Sequence, residues 1–181
     1  TVHYHEVKVD HREAGTDRDG QHLLFRDAAI GVQDAAREKR DTLSARVDVM
    51  RGILDADPDS HCLLWHDLED ERAAIERAVP LSVSVYGSQD LDEREQAIVD
   101  FSDGKFRYLA AKPVIAGSGC NFQRHCHKAI FLGIGFKFRD FIQAIHRIHR
   151  FLQTKPVEIH LIYAESEREI LRTLQAKWTQ H

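Results

Sequence analysis

Cys62-Leu63-Leu64-Trp65 is a short apolar run, and it is followed at once by His66-Asp67 and by an amphipathic stretch over 68–78. A four-residue apolar run before a longer stretch of helical period predicts a buried strand leading into a helix. The same alternation repeats outward from this point. Residues 81–86 are rich in β-branched side chains and predict a strand, and 90–101 predict a helix with Asp90 and Glu93 spaced as a capping box. A strand is expected over 106–111, then a loop with one helical turn over 112–123. A strand over 129–134, a helix over 136–152, a strand over 157–163 and a helix over 165–178 complete the series. Short apolar strands alternating with helices indicate an α/β fold: a mostly parallel sheet of about six strands with helices on both faces. In such sheets ligands sit at the carboxyl ends of the strands, so the loops after strands are the ones to search.

Before this rhythm the pattern is looser. Val2, Tyr4, Val7 and Val9 alternate with polar residues and predict a strand, possible at a sheet edge. Residues 10–20 are polar, with Gly15 and Gly20, and read as a loop; 21–34 read as a short helix or an irregular insertion. A helix is expected over 35–54, with Leu43, Val47, Met50 and Leu54 on its apolar face, ended by Asp55-Ala56-Asp57-Pro58-Asp59. The division expected is therefore a lead-in over 1–34 and one domain over 35–181.

The chain has 181 residues, 43% of them apolar, which suits one domain with a substantial core and excludes compositional disorder. No apolar run approaches the roughly 20 residues of a membrane helix, so no membrane partner is expected. Thr1 opens in mid-pattern, and the chain reads as a fragment of something larger. Cys62, Cys120 and Cys126 are an odd number, which fits a reducing cytoplasm better than a disulfide framework. The net charge of −4 does not suggest a nucleic-acid protein, but its distribution does: residues 103–156 hold ten Lys/Arg against two Asp/Glu, so the rest carries −12. A basic segment within an acidic chain points one face at polyanions.

Three loops after strands carry the chemistry. The first is His66-Asp67. The second, Gly87-Ser88-Gln89-Asp90, enters a helix, where free backbone N–H groups and the helix dipole favour a phosphate. The third runs from Lys112 to Gln123 and contains Gly117-Ser118-Gly119, then Asn121. Its glycines allow close backbone approach to a ligand, and Lys112, Asn121 and Gln123 supply a charge and two amides. The Gly-x-Gly lacks a further glycine three residues on, so a dinucleotide fold does not follow. No Gly-Lys-Ser or Gly-Lys-Thr loop and no Asp-Glu pair at a strand end is present, so this domain alone lacks the parts that split a nucleotide. No metal site is expected: Arg124-His125-Cys126-His127-Lys128, with Cys120 before it, has the wrong spacing for a zinc knuckle, and neighbours on a strand point to opposite faces.

The stretch Gln143-Ala144-Ile145-His146-Arg147-Ile148-His149-Arg150-Phe151-Leu152-Gln153 falls in the expected helix over 136–152. Phe138, Phe141, Ile142, Ile145, Ile148 and Leu152 recur at helical spacing and define a buried stripe. Gln143, Arg147 and Arg150 share the polar edge beside it. Two planar guanidinium forks one turn apart suit a chain of phosphate oxygens.

The order of these parts resembles the second RecA-like domain of a superfamily 2 helicase or translocase, nearest to the Swi/Snf-type branch and related bacterial and phage helicase-like proteins. Leu63 to Asp67 resembles the fourth helicase motif. Tyr86-Gly87-Ser88, then Glu93-Arg94 and Phe101-Ser102-Asp103-Gly104, resembles the next. Lys112 with Ala116 to Phe122 resembles motif five, although its Pro113-Val114-Ile115 lead is longer than usual. Gln143 to Gln153 with Thr154 to Val157 resembles motif six, with Gln153 where several branches have a further arginine. Glu165 to Ile170 falls where that branch has its Glu-Glu helix. The resemblance covers residues 35–178.

The resemblance implies a RecA-like three-layer sandwich and ATP bound against an N-terminal RecA-like domain of the same protein, which would hold Mg2+ and the phosphate loop. Arg150 then falls on the finger arginine, with Arg147 beside it. Gln143, Gly117, Gly119 and Asn121 fall at the nucleotide. Gly87, Ser88, Lys112, His66 and Gln123 fall on the nucleic-acid side. The activity implied is that of a DNA-dependent ATPase, with RNA as the alternative track. The competing reading is a non-catalytic RecA-like module that binds nucleic acid or protein.

Overall fold

The computed structural model describes residues 1–9, 40–116 and 120–180. Its centre is a six-stranded, all-parallel sheet: β1 (Val2–Val7), β2 (His61–Trp65), β3 (Ser82–Val85), β4 (Tyr108–Ala111), β5 (Cys126–Phe131) and β6 (Glu158–Ala164), in the order β1-β6-β5-β2-β4-β3. The chain starts the sheet's middle at β2, builds β3 and β4 to one side, then crosses back to place β5 and β6 on the other. The N-terminal strand, expected as a lead-in, is the edge strand of this same sheet, paired with β6. The expected insertion over 10–34 and the first residues of the helix over 35–54 lie outside the described residues.

Among the described residues five α-helices cover the sheet: α1 (Leu43–Ala56), α2 (Glu69–Ala78), α3 (Leu91–Ser102), α4 (Phe138–Ile145) and α5 (Arg168–Thr179). Strand alternation divides the core between two faces. Leu63 and Trp65 pack with Phe101, Leu109, Phe131, Phe141, Ile148, Leu161 and Leu171, on the side of α3, α4 and α5. Cys62 and Leu64 pack with Val47, Met50, Ile75, Ala110, Ile130 and Ile162, on the side of α1 and α2. Both faces of the central strands are dry, which is why the strands read as unbroken apolar runs.

Three local features place the loops that matter. Asp90 caps α3 by accepting from Asp92 N–H at 3.0 Å and Glu93 N–H at 3.2 Å. Gly104 ends that helix at φ +75°, where a Cβ would stand 2.9 Å from the His125 ring, so the last position of Phe101-Ser102-Asp103-Gly104 accepts only glycine. Arg46 and Glu71 form an ion pair at 3.3 Å with side chains 0% and 1% exposed. Arg46 Nη1 also donates to Leu132 O at 2.6 Å, while Glu71 Oε2 accepts from Asp67 and Leu68 N–H at 2.8 and 3.0 Å. This pair ties α1 to the loops after β2 and β5.

Two expected elements shift. Strand β5 begins at Cys126 rather than 129, because Lys128 is buried in the sheet with its Nζ 2.7 Å from Asp57. The helix expected over 136–152 stops at Ile145, and residues 146–152 form successive turns. Arg147 and Ile148 donate their N–H to carbonyls three residues back, which tightens the chain and keeps Ile148 fully buried. Side-chain amides take carbonyls that a longer helix would use: Gln153 Nε2 donates to Ile148 O at 3.0 Å, and Gln123 Nε2 to Phe151 O at 3.3 Å. Leu152, expected in the buried stripe, adopts φ 72° and is 63% exposed.

Candidate functional site

The site is built beside the amino end of β5, where Gln153 Nε2 donates to Cys126 O at 3.0 Å. There the turn that follows α4 meets the loop that follows β4. Arg150 Nη1 donates to Cys120 O at 3.0 Å and to Asn121 Oδ1 at 2.8 Å. Residues 29 and 30 positions apart in sequence are thereby latched together. Both bonds use one nitrogen, so the other N–H groups of the planar fork take no part in this latch. Arg147 sits beside this latch. Its guanidinium is pushed down in pKa first by burial and further by Arg150, with Cys120 opposing, and its buried Nε has no hydrogen-bond partner among the described residues. A buried guanidinium N–H without a partner is costly unless a ligand or water completes it. Burial also pushes the Cys120 thiol up, against the pull of Arg147 and Arg150. The arginines therefore meet by way of a turn, and not on one face of a regular helix as their spacing had suggested. Gln143, on α4, is exposed.

The loop after β3 lies at the other side of the sheet. Gly87 and Ser88 are exposed, and Gln89 Oε1 accepts from Tyr86 N–H at 3.4 Å. The Tyr86 ring is backed by Arg72, whose guanidinium carbon is 4.4 Å from the ring centroid. Arg72 is held in turn by Glu69 and Glu76 at 2.8 and 2.6 Å. Lys112, leaving β4, pairs with Glu69 at 3.3 Å. Glu69 thus joins the loop after β4 to the start of α2, and its carboxyl is held below its ordinary range by Arg72 first and Lys112 next.

Two residues expected at a nucleic-acid surface are buried instead. His66 is fully buried at the end of β2, with neither ring nitrogen hydrogen-bonded among the described residues, and burial pushes its pKa down to about 4. Gln123 is 8% exposed and spends its amide on Phe151 O. Each supports a loop from below, His66 under the loop after β2 and Gln123 under the arginine turn. Gly117 and Gly119 lie outside the described residues. The Arg46–Glu71 pair was not anticipated. The available signal was a single arginine three residues after Leu43 and four before Met50, inside the apolar stripe of α1.

An all-parallel six-stranded sheet with helices on both faces and this strand order is the RecA-like α/β fold of helicase C-terminal domains. Solved structures with which the chain shares it include the C-terminal part of the Fun30 ATPase domain, at 21% identity and TM-score 0.61 over 71% of this chain and 44% of that one. The C-terminal domain of the DEAD-box protein Dbp5 matches at 16% identity and TM-score 0.65 over 76% of this chain and 81% of that one. S. cerevisiae Dbp5 L327V bound to RNA and ADP BeF3 matches at 16% identity and TM-score 0.59, over 76% of this chain and 36% of that one. This chain thus spans less than half the length of the Fun30 and RNA-bound Dbp5 structures. No protein-family model matches the sequence, and no curated protein is significantly similar to it. Among the described residues no helix is long and apolar enough to cross a membrane.

Proposed function

We propose that this domain is the C-terminal motor half of a DNA-dependent ATPase of the superfamily 2 helicase or translocase type. It would face an N-terminal RecA-like domain that supplies the phosphate loop and holds Mg2+, with ATP in the cleft between them. The observation that supports this reading most is the Arg150–Asn121 latch beside a half-buried Arg147. Two guanidinium groups converge on the loop between β4 and β5, at Cys120 and Asn121, directly after Gly117-Ser118-Gly119 in the sequence. Arg150 acts as the finger on the γ-phosphate, Arg147 as the second positive charge, and Asn121 as the group that aims the finger. Gly87, Ser88 and Lys112 form the surface for the nucleic-acid backbone, a contact that would be sequence-independent and salt-sensitive. A structure that shares this fold, S. cerevisiae Dbp5 L327V, is bound to RNA and ADP BeF3, the two classes of ligand this reading calls for.

In the full-length protein, Arg150→Ala is expected to lower DNA-stimulated ATP turnover by roughly 10³-fold or more, as for other arginine fingers, while ATP binding stays within a few-fold. Turnover unchanged in Arg150→Ala would remove Arg150 from the finger role.

A further inference from the structure

The amino ends of strands β1 and β6 carry a cluster that the proposed function does not use. It shares no residue with the arginine latch. Parallel pairing sets His3 beside His160, and alternation puts Glu158, two residues before His160, on the same face. One ligand-type atom from each of His3, Glu158 and His160 lies within 4.8 Å of the other two. His160 Nε2 is 3.6 Å from Glu158 Oε2. Two atoms bound to one tetrahedral zinc at about 2.0–2.1 Å stand about 3.4 Å apart. The pair therefore needs almost no movement to share an ion. The His3 and His160 rings are stacked, with centroids 4.7 Å apart and planes 14° from parallel, and His3 on the edge strand can turn to close the third corner.

A second observation points to a ligand. His160 is 8% exposed, and its Nε2 is buried without a hydrogen-bond partner among the described residues. Its other nitrogen is engaged: His160 Nδ1 lies 3.0 Å from His5 Nε2. With the proton on Nδ1 and donated to His5, the Nε2 lone pair is directed into the cluster. Such an outer partner fixes the tautomer of a metal-bound histidine. The neighbouring cation does not oppose an ion strongly. Lys128 Nζ is 2.7 Å from Asp57 Oδ2 and 3.6 Å from Glu158 Oε2, so its charge is directed mainly to Asp57.

We propose that His3, Glu158 and His160 form a binding site for a divalent transition metal of the zinc class, with His5 as the positioning partner of His160. Two imidazoles and one carboxylate suit Zn2+ better than Mg2+ or Ca2+, which prefer all-oxygen sites. The fourth position is left to water. The ion would clip edge strand β1, which among the described residues pairs with β6 alone, to the body of the domain.

The test is calorimetric titration of the chelator-treated full chain with Zn2+, repeated with Co2+ to read the visible absorption of a low-coordinate site. One equivalent is expected to bind tightly, with a rise in Tm. His160→Ala and Glu158→Gln should each lower affinity at least ten-fold. His5→Ala should lower it by about ten-fold, the usual scale for an outer partner. His3→Ala, on the edge strand, should do the same as His160→Ala with an unchanged circular-dichroism spectrum, which separates lost binding from lost fold. Absence of a one-equivalent event overturns the proposal. So does binding that survives both His3→Ala and His160→Ala, because some of the other histidines would then hold the ion.

Discussion

Replacement of Arg46 by methionine tests how the loops at the strand ends are held. Methionine keeps most of the apolar stem, so the change removes charge and donors with little cavity. Two bonds from Nη1 are lost: 3.3 Å to Glu71 Oε1 and 2.6 Å to Leu132 O. Glu71 stays buried, at 1% exposure, with the backbone N–H groups of Asp67 and Leu68 as its remaining partners in this set. Removing one member of a buried pair costs about 3–5 kcal/mol, chiefly because the other charge is left uncompensated. That is a large part of the roughly 5–15 kcal/mol that stabilises a domain. Urea unfolding, followed by circular dichroism at constant m, reads the loss directly. Glu71→Gln alone should also destabilise. The double variant should cost less than the sum of the two, since neither charge is then left alone. A loss below about 1 kcal/mol for Arg46→Met, or strict additivity in the cycle, would show that the pair does not hold these loops.

Two further outcomes follow from the site. His66 is neutral in the fold, with its pKa pushed down by burial to about 4, whereas an unfolded histidine takes its proton near 6.5. Its stabilisation is complete above pH 6.5 and is lost as pH falls towards 4. At about 1.4 kcal/mol per unit this is on the order of 3 kcal/mol. Unfolding free energy measured across that window should lose part of its slope in His66→Gln; an unchanged slope would refute the assignment. Asn121→Ala should leave Arg150 unaimed and lower DNA-stimulated turnover of the full-length protein about ten-fold, equivalent to about 1.4 kcal/mol in the barrier, with no change in Tm. Full activity in that variant would mean that the latch has no role in turnover.

The α/β rhythm was legible because the central strands are buried on both faces and announce themselves as apolar runs. Leu63, Trp65, Leu109 and Phe131 could hardly be read otherwise. The break after Ile145 was not legible. Ile148 and Leu152 continue the helical period, and the groups that stop the helix include Gln123, more than twenty residues away. Strand β5 was read three residues late, at 129–134, for the same kind of reason: Lys128 looks like loop until Asp57, 71 positions earlier, is placed beside it. His66 is polar by composition and buried by topology. The cluster of His3, Glu158 and His160 depends on strands 155 or more residues apart being paired, which local pattern does not contain. The bond between Asn121 and Arg150 was not legible, because it comes from the turn that replaced the helix.

The central claim is that this fold serves as half of a nucleic-acid-driven ATPase. Its most direct test is steady-state ATP hydrolysis by the full-length protein, with and without DNA, at low salt. The account predicts Mg2+-dependent turnover that rises several-fold with DNA and falls back as salt is added. No turnover above background in the presence of DNA would contradict it.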